Sequence, residues 1–335
     1  MMRNDVSLEI ASRHRSLGLS DQQVLYMYRD MMLARKVDEQ MWLLHRAGKI
    51  QFPVSCQGHE AAQVGAAYAL DSRKDYLCPY YRDMGMAIVF GMTARELLLE
   101  AFARAGDPNS GGRQMPGSYG SRKYHKLTTS NVVAPYAARM ALTGRLQGEN
   151  FVALTALGEG ACNQGEFHEV VNFAGMHKLP VIFFCENNKN AISHPYSKQV
   201  TSESIADRVT GYGFPVFRVN GNDPLEVYKV TKNAVDRARC GEGPTLIEAV
   251  HHRLAPHTSE DDDRTYHSCE EVEEIKKQDS LIIFKYYLKE IGLLDERTEN
   301  KMLDQIVKEV DEALDYAEHA PNPIPESTLD HVYAE

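Results

Sequence analysis

Apolar positions recur at helical spacing over Asp21–Arg46 (DQQVLYMYRDMMLARKVDEQMWLLHR), which predicts a long amphipathic helix. The middle of the chain changes period. Residues 151–157 (FVALTAL) and 180–185 (PVIFFC) are apolar runs of strand length, and 163–177 between them has helical period. Residues 215–219 and Thr245–Val250 read as two further strands, each preceded by a helical segment. Strands apolar on both faces and alternating with helices predict an α/β fold, a mainly parallel sheet flanked by helices. After Tyr266 the chain becomes charged helices with a narrow apolar stripe (Met302, Ile306, Val310, Leu314, Ala317), then a proline-rich tail, APNPIPES. The expected organisation is an N-terminal arm (1–20), an α/β domain (21–266) and a C-terminal helical extension (267–335). The arm is expected to fray and the tail to lie on a neighbouring molecule.

Composition removes several function classes. The 335 residues carry 37 Lys+Arg against 47 Asp+Glu, a formal charge of -10, which argues against a nucleic-acid or anionic-membrane surface as partner. No apolar run approaches the roughly 18 residues of a membrane span. The first twenty residues lack the apolar block of a secretory signal, so a cytoplasmic protein is expected. Six scattered cysteines without a CxxC pair indicate neither a zinc knuckle nor a disulfide framework. No G-x-G-x-x-G opens a helix after a strand, which disfavours a nicotinamide site.

Candidate chemistry concentrates between residues 151 and 193. The first strand ends in Gly158-Glu159-Gly160-Ala161 and the next in Glu186-Asn187-Asn188. A right-handed βαβ crossover brings the carboxyl ends of both strands to one sheet edge, where open α/β sheets bind ligands. Glu159 and Asn188 are 29 positions apart, yet this topology can bring their oxygens together. A carboxylate and an amide oxygen form a hard donor set suited to magnesium, which completes its octahedron with phosphate oxygens. Gly158 and Gly160 allow close backbone approach, and the following helix is expected to present its free N–H groups to the same anion. The ligand these residues predict is a magnesium diphosphate. Either turn alone would read as an ordinary loop; the pairing across a helix carries the inference.

The segment GEGACNQGEFHEVVNFAGMHKLPVIFFCENN resembles the thiamine-diphosphate motif of the alpha subunits of 2-oxo acid dehydrogenases. Pro79-Tyr80-Tyr81-Arg82-Asp83, Gly111-Gly112-Arg113-Gln114-Met115-Pro116, Gly211-Tyr212-Gly213 and Val219-Asn220-Gly221-Asn222-Asp223 extend the likeness over nearly the whole chain. Glu159 inside the Gly-x-Gly, with PHTSEDDD later, is most similar to the branched-chain (2-oxoisovalerate-using) members. The resemblance implies a thiamine-diphosphate-binding fold in which Glu159 and Asn188 ligate Mg2+ through side chains and Asn190 through its carbonyl. It implies that Arg82 pairs with the diphosphate, that Tyr81 lines the cofactor, and that Gly158, Gly160 and Ala161 make backbone contacts. His257 is implied to reach the reacting end as a catalytic group, and Thr258 stands where animal relatives carry a regulatory phosphoserine. Glu60 would be structural, since in this family the acid that activates thiamine belongs to a separate beta subunit. The implied assembly is an α2β2 heterotetramer that oxidatively decarboxylates branched-chain 2-oxo acids and passes the acyl group to a lipoyl-bearing dihydrolipoyl transacylase.

Some positions depart from the family pattern. The 128–135 segment is short and lacks the usual Ser-Pro…Gln run, and Arg139 replaces a glycine and requires solvent or a partner. His59 stands for a usual Gln and His267 for a usual Arg. Two other readings stay open on this basis: a pyruvate or acetoin dehydrogenase alpha subunit, and a diverged alpha subunit that binds cofactor without turnover.

Overall fold

The computed structural model describes residues 13–121, 126–128, 133–330 and 332. Helices are α1 (Asp21–Arg46), α2 (Glu60–Tyr68), α3 (Met84–Val89), α4 (Ala94–Ala101), α5 (Val133–Gln147), α6 (Gly165–Met176), α7 (Ile205–Val209), α8 (Pro224–Arg239), α9 (Cys269–Lys276), α10 (Ser280–Glu290) and α11 (Glu296–His319). Strands are β1 (Tyr76–Cys78), β2 (Ala153–Gly158), β3 (Val181–Asn187), β4 (Asn190–Ala191), β5 (His194–Pro195), β6 (Val216–Asn220) and β7 (Thr245–Val250). Five of them form one parallel sheet in the order β1-β2-β3-β7-β6, and β4 pairs with β5 as a small antiparallel hairpin. The α/β fold with a mainly parallel sheet flanked by helices, expected from the apolar runs, is what the chain adopts.

Local chemistry explains the main elements. Ser20 opens α1 with a capping box to Gln23, and Val24, Met27, Met31, Ala34, Val37, Met41 and Leu44 bury its apolar face. Every residue of β3 is buried, and its register Leu157↔Cys185 and Gly158↔Glu186 sets the ends of β2 and β3 side by side. Asp223 accepts from Leu225 and Glu226 N–H at the start of α8, with Pro224 in the first turn. Strand β1 escaped the sequence reading: three residues beside a charged turn are too few to show a period.

The ends of the chain are tied to this body. His14 is buried against Tyr287 Oη (2.8 Å) and Asp21 (2.9 Å), and Arg13 reaches Asp223, so the arm is anchored from Arg13 onward; residues 1–12 lie outside the described residues. In α11 the side chains of Ile306, Val310, Ala313 and Ala317 enter the main core, with Met302 and Leu314 half-buried against it. At its start the tail is bonded to its own chain. Ala105 N–H bonds the Pro321 carbonyl at 3.0 Å and Arg104 bonds the Asn322 side chain, while Arg104 also bonds the carbonyls of Ala317 (3.0 Å) and Glu318 (2.8 Å) at the end of α11. A guanidinium offering a fork of donors to a helix C-terminus supplies what that end lacks.

No helix among the described residues is long and apolar enough to cross a membrane. Arg139 is exposed on α5, which gives its charge the solvent it needs. In the altered 128–135 segment, residues 129–132 lie outside the described residues.

Candidate active site

Four neighbouring strands deliver loops to one edge of the sheet. Pro79 to Arg82 follow β1, Gly158 to Ala161 end and follow β2, Asn188 to Asn190 follow β3, and Arg253 to Thr258 follow β7. Together they line one cavity of about 670 Å3, closed on another side by Gln114 to Ser118. All nine sequence candidates border it: Tyr81, Arg82, Gly158, Glu159, Gly160, Ala161, Asn188, Asn190 and His257. The position is the crevice beyond the carboxyl ends of parallel strands.

The charges around the cavity are unbalanced in an informative way. Arg82 is 1% exposed; it bonds the Ser55 carbonyl and faces His257 Nδ1 at 3.2 Å, while its Nε has no partner among the described residues. Arg253 also faces His257 Nδ1 at 3.2 Å and otherwise bonds Ile192 O (2.8 Å) and Tyr266 Oη (3.2 Å). Among the described residues neither guanidinium has a carboxylate within ion-pair distance. Two such cations at one wall, left without anions, cost several kcal/mol unless a ligand brings the negative charge.

Glu159 is the complementary case. It is 1% exposed, burial raises its pKa, and its contact is a 3.4 Å bond from Gln199 Nε2 rather than a cation. Asn188 is also buried, and its Oδ1 accepts the Asn190 N–H at 3.2 Å. A carboxylate without a cation partner among the described residues and an amide oxygen, both lining one cavity, fit a small divalent cation. A Cβ added to Gly158 would meet nothing within 4 Å, so the backbone there is open to close approach, whereas one on Gly160 would lie 2.8 Å from Ala191 Cβ.

One expectation is corrected. Helix α6 begins at Gly165, not at Asn163 where the helical period starts. Cys162, Asn163 and Gln164 donate to the carbonyls of Glu159, Gly160 and Ala161, winding one 3₁₀ turn before the extended Gln164 lets α6 start at Gly165. It is that turn, through Ala161 and Gln164, that borders the cavity.

Arg253 was missed by the sequence reading, because a lone arginine after a strand has no distinguishing spacing. Glu60 lies away from the cavity, buried and paired with Arg35 (2.5 Å) and with the Gly58 N–H (2.8 Å). Arg35 in turn bonds Asp279 at 3.0 and 3.1 Å.

Similarity to known proteins agrees with this geometry. The dehydrogenase E1 component family matches residues 28–326, nearly nine-tenths of the chain. The chain belongs to the dehydrogenase E1 component family. Relatives within it include the 2-oxoisovalerate dehydrogenase subunit alpha of Bacillus subtilis, 59% identical over 326 residues that cover 96% of this chain and 99% of the relative. The pyruvate dehydrogenase E1 component subunit alpha of Staphylococcus aureus is 35% identical over 316 residues, 94% of this chain and 83% of the relative. That of Staphylococcus epidermidis is 34% identical over 318 residues. The resemblance to alpha subunits of 2-oxo acid dehydrogenases, drawn from the motifs, is thus confirmed at the level of the E1 family, and the branched-chain member is nearer than the pyruvate members.

Proposed function

We propose that the chain is the diphosphate-holding alpha subunit of a branched-chain 2-oxo acid dehydrogenase, acting on 2-oxoisovalerate and its homologues in the cytoplasm. The observation that carries the reading is the set of unmatched charges at one cavity: buried Arg82 and half-buried Arg253 on one side, buried Glu159 with Asn188 on the other. A magnesium diphosphate neutralises both sets at once. Glu159, Asn188 and the Asn190 carbonyl would hold Mg2+; Arg82 and Arg253 would take the phosphate oxygens; Gly158, Gly160 and Ala161 would leave room for them; Tyr81 would wall the remainder. When bound, thiamine diphosphate supplies a nucleophilic carbon and the electron sink for decarboxylation.

His257 is the protein group suited to proton work at the open end. Burial, then Arg82 and Arg253, lower its pKa to about 4, so the ring is neutral near pH 7. Its Nδ1 lone pair faces two guanidiniums, so its hydrogen is on Nε2. The main-chain N–H of His257 bonds Asp261 Oδ2 at 2.8 Å, which Tyr266 also binds, and this fixes the loop. A neutral N–H donor can hold a developing oxyanion or deliver a proton.

Among the described residues lining the cavity, Glu159 is the only carboxylate, and Glu60 is locked to Arg35 behind it. This supports a beta subunit as the source of the acid that activates thiamine, in an α2β2 assembly serving a lipoyl-bearing transacylase. The test is turnover by the reconstituted α/β pair on 2-oxoisovalerate, pyruvate and acetoin with a lipoyl acceptor. Preference for 2-oxoisovalerate is expected. Preference for pyruvate or acetoin would replace the substrate assignment, and cofactor uptake without turnover on any of them would make the chain a non-catalytic relative.

A further inference from the structure

Beneath the cavity wall lies a group with no solvent exposure beyond 1%: His59 at the start of α2, Glu186 in β3 and His251 just after β7. Glu186 Oε2 is 2.5 Å from Nδ1 of His59, and Nε2 of His251 is 2.9 Å from that same nitrogen. On the other side of the His59 ring, Nε2 faces the amide nitrogen of Asn188 at 3.5 Å. The Asn188 oxygen meanwhile accepts the Asn190 N–H.

An imidazole nitrogen carries either a hydrogen or a lone pair. Glu186 Oε2 already accepts from Gln63 Nε2 and Tyr80 Oη, each at 3.3 Å, so it is an acceptor toward His59 as well. That places the His59 hydrogen on Nδ1 and leaves the Nε2 lone pair facing Asn188. With its nitrogen engaged by His59, the Asn188 amide has its oxygen on the opposite side, where the Asn190 N–H also requires it.

We propose that His59 is a positioning residue for the metal–diphosphate site: Glu186 fixes its Nδ1–H form, and its Nε2 holds the Asn188 amide with the oxygen available to the cation. The proposal rests on the reading of Asn188 as a magnesium ligand. The ligand-type atoms of His59, Glu186 and His251 all lie within 4.8 Å of one another, a donor set that a transition metal such as zinc accepts. The Asn188 contact disfavours that alternative. Metal on Nδ1 would put the ring hydrogen on Nε2, pointing at an amide N–H.

The experiment is Mn2+ titration of the α/β assembly with thiamine diphosphate, read by electron paramagnetic resonance, alongside elemental analysis. Variants are His59→Gln, His59→Leu, Asn188→Ala, His59→Leu/Asn188→Ala and His59→Leu/Glu186→Leu. The last removes the buried pair together, so that the Glu186 carboxylate is not left facing a leucine if His59→Leu alone fails to assemble. His59→Leu and Asn188→Ala are each expected to weaken Mn2+ by about tenfold or more. Their combination should bind no worse than Asn188→Ala alone, His59→Leu/Glu186→Leu should match His59→Leu, and His59→Gln, whose carbonyl can accept the same N–H, should stay near wild type. Wild-type Mn2+ affinity in His59→Leu with a weakened Asn188→Ala would overturn the proposal and leave the magnesium reading standing. So would losses that multiply in the double variant, failure of His59→Gln to rescue, or a stoichiometric zinc that His59→Leu loses. Wild-type affinity in Asn188→Ala would remove the magnesium reading and this proposal with it.

Discussion

Nη2 of Arg82 lies 3.2 Å from Nδ1 of His257, and Arg253 approaches that nitrogen at the same distance from a second loop. One imidazole thus bridges two guanidiniums that have no carboxylate partner among the described residues. The arrangement joins the anion-binding wall to the proton-handling group, so a change in one is expected to be read in the other.

The first consequence concerns pH. Burial is the main cause of the low His257 pKa, and Arg82 and Arg253 add to it. In Arg253→Met one cation is gone, so the His257 pKa rises from about 4 toward 6.5. Turnover that needs the neutral ring then fails at higher pH: the acid limb of the kcat profile of the variant should move up by about half a unit or more. A profile recorded from pH 4.5 to 8 checks this, and an unmoved acid limb would show that Arg253 does not govern His257.

A pair of glycine variants separates folding from ligand binding. In Gly158→Ala the new Cβ enters open space at the cavity, so the melting temperature should stay within about 2 °C of wild type. Thiamine diphosphate affinity should fall by about tenfold or more, since the methyl occupies room the phosphate uses. Gly160→Ala drives its Cβ against Ala191, 2.8 Å away, and should cost about 1–3 kcal/mol of stability as well. Equal affinity in Gly158→Ala and wild type would contradict the placement of the diphosphate.

Much of this site was legible from residue order. Continuous apolar runs located β2, β3 and β7, and the βαβ rule then forced Glu159 and Asn188 to one edge without any distance being known. Arg253 and the His59–Glu186–His251 group were not legible, because they meet only when α2, β3 and β7 pack, and no local period records a contact between residues 59 and 251. The 3₁₀ turn before α6 escaped for a related reason. Helical spacing is shared by both helix types over one turn, and it was the hydrogen bonds that decided between them.

Glu100 provides a stability prediction independent of the cofactor. It accepts the Ser118 N–H at 2.7 Å and so holds the segment that closes the cavity, yet its second oxygen is buried without a hydrogen-bond partner among the described residues. Burial, and secondarily Asp107, raise its pKa from 4.5 to about 8. A raised carboxyl pKa contributes stability that is present below pH 4.5 and is lost as the pH climbs through about 8. Glu100→Gln keeps the acceptor and does not titrate. Its stability relative to wild type should therefore increase between pH 4.5 and 8 by a few kcal/mol, roughly, in denaturant unfolding. A difference independent of pH would contradict a buried, neutralised Glu100.

The most direct test titrates thiamine diphosphate into the purified α/β assembly by calorimetry, with Mg2+ and with the metal chelated, for wild type and Glu159→Ala. The account predicts saturable uptake that needs Mg2+ and that Glu159→Ala reduces by at least about tenfold. Uptake of equal affinity with and without Mg2+, unchanged in Glu159→Ala, would contradict it.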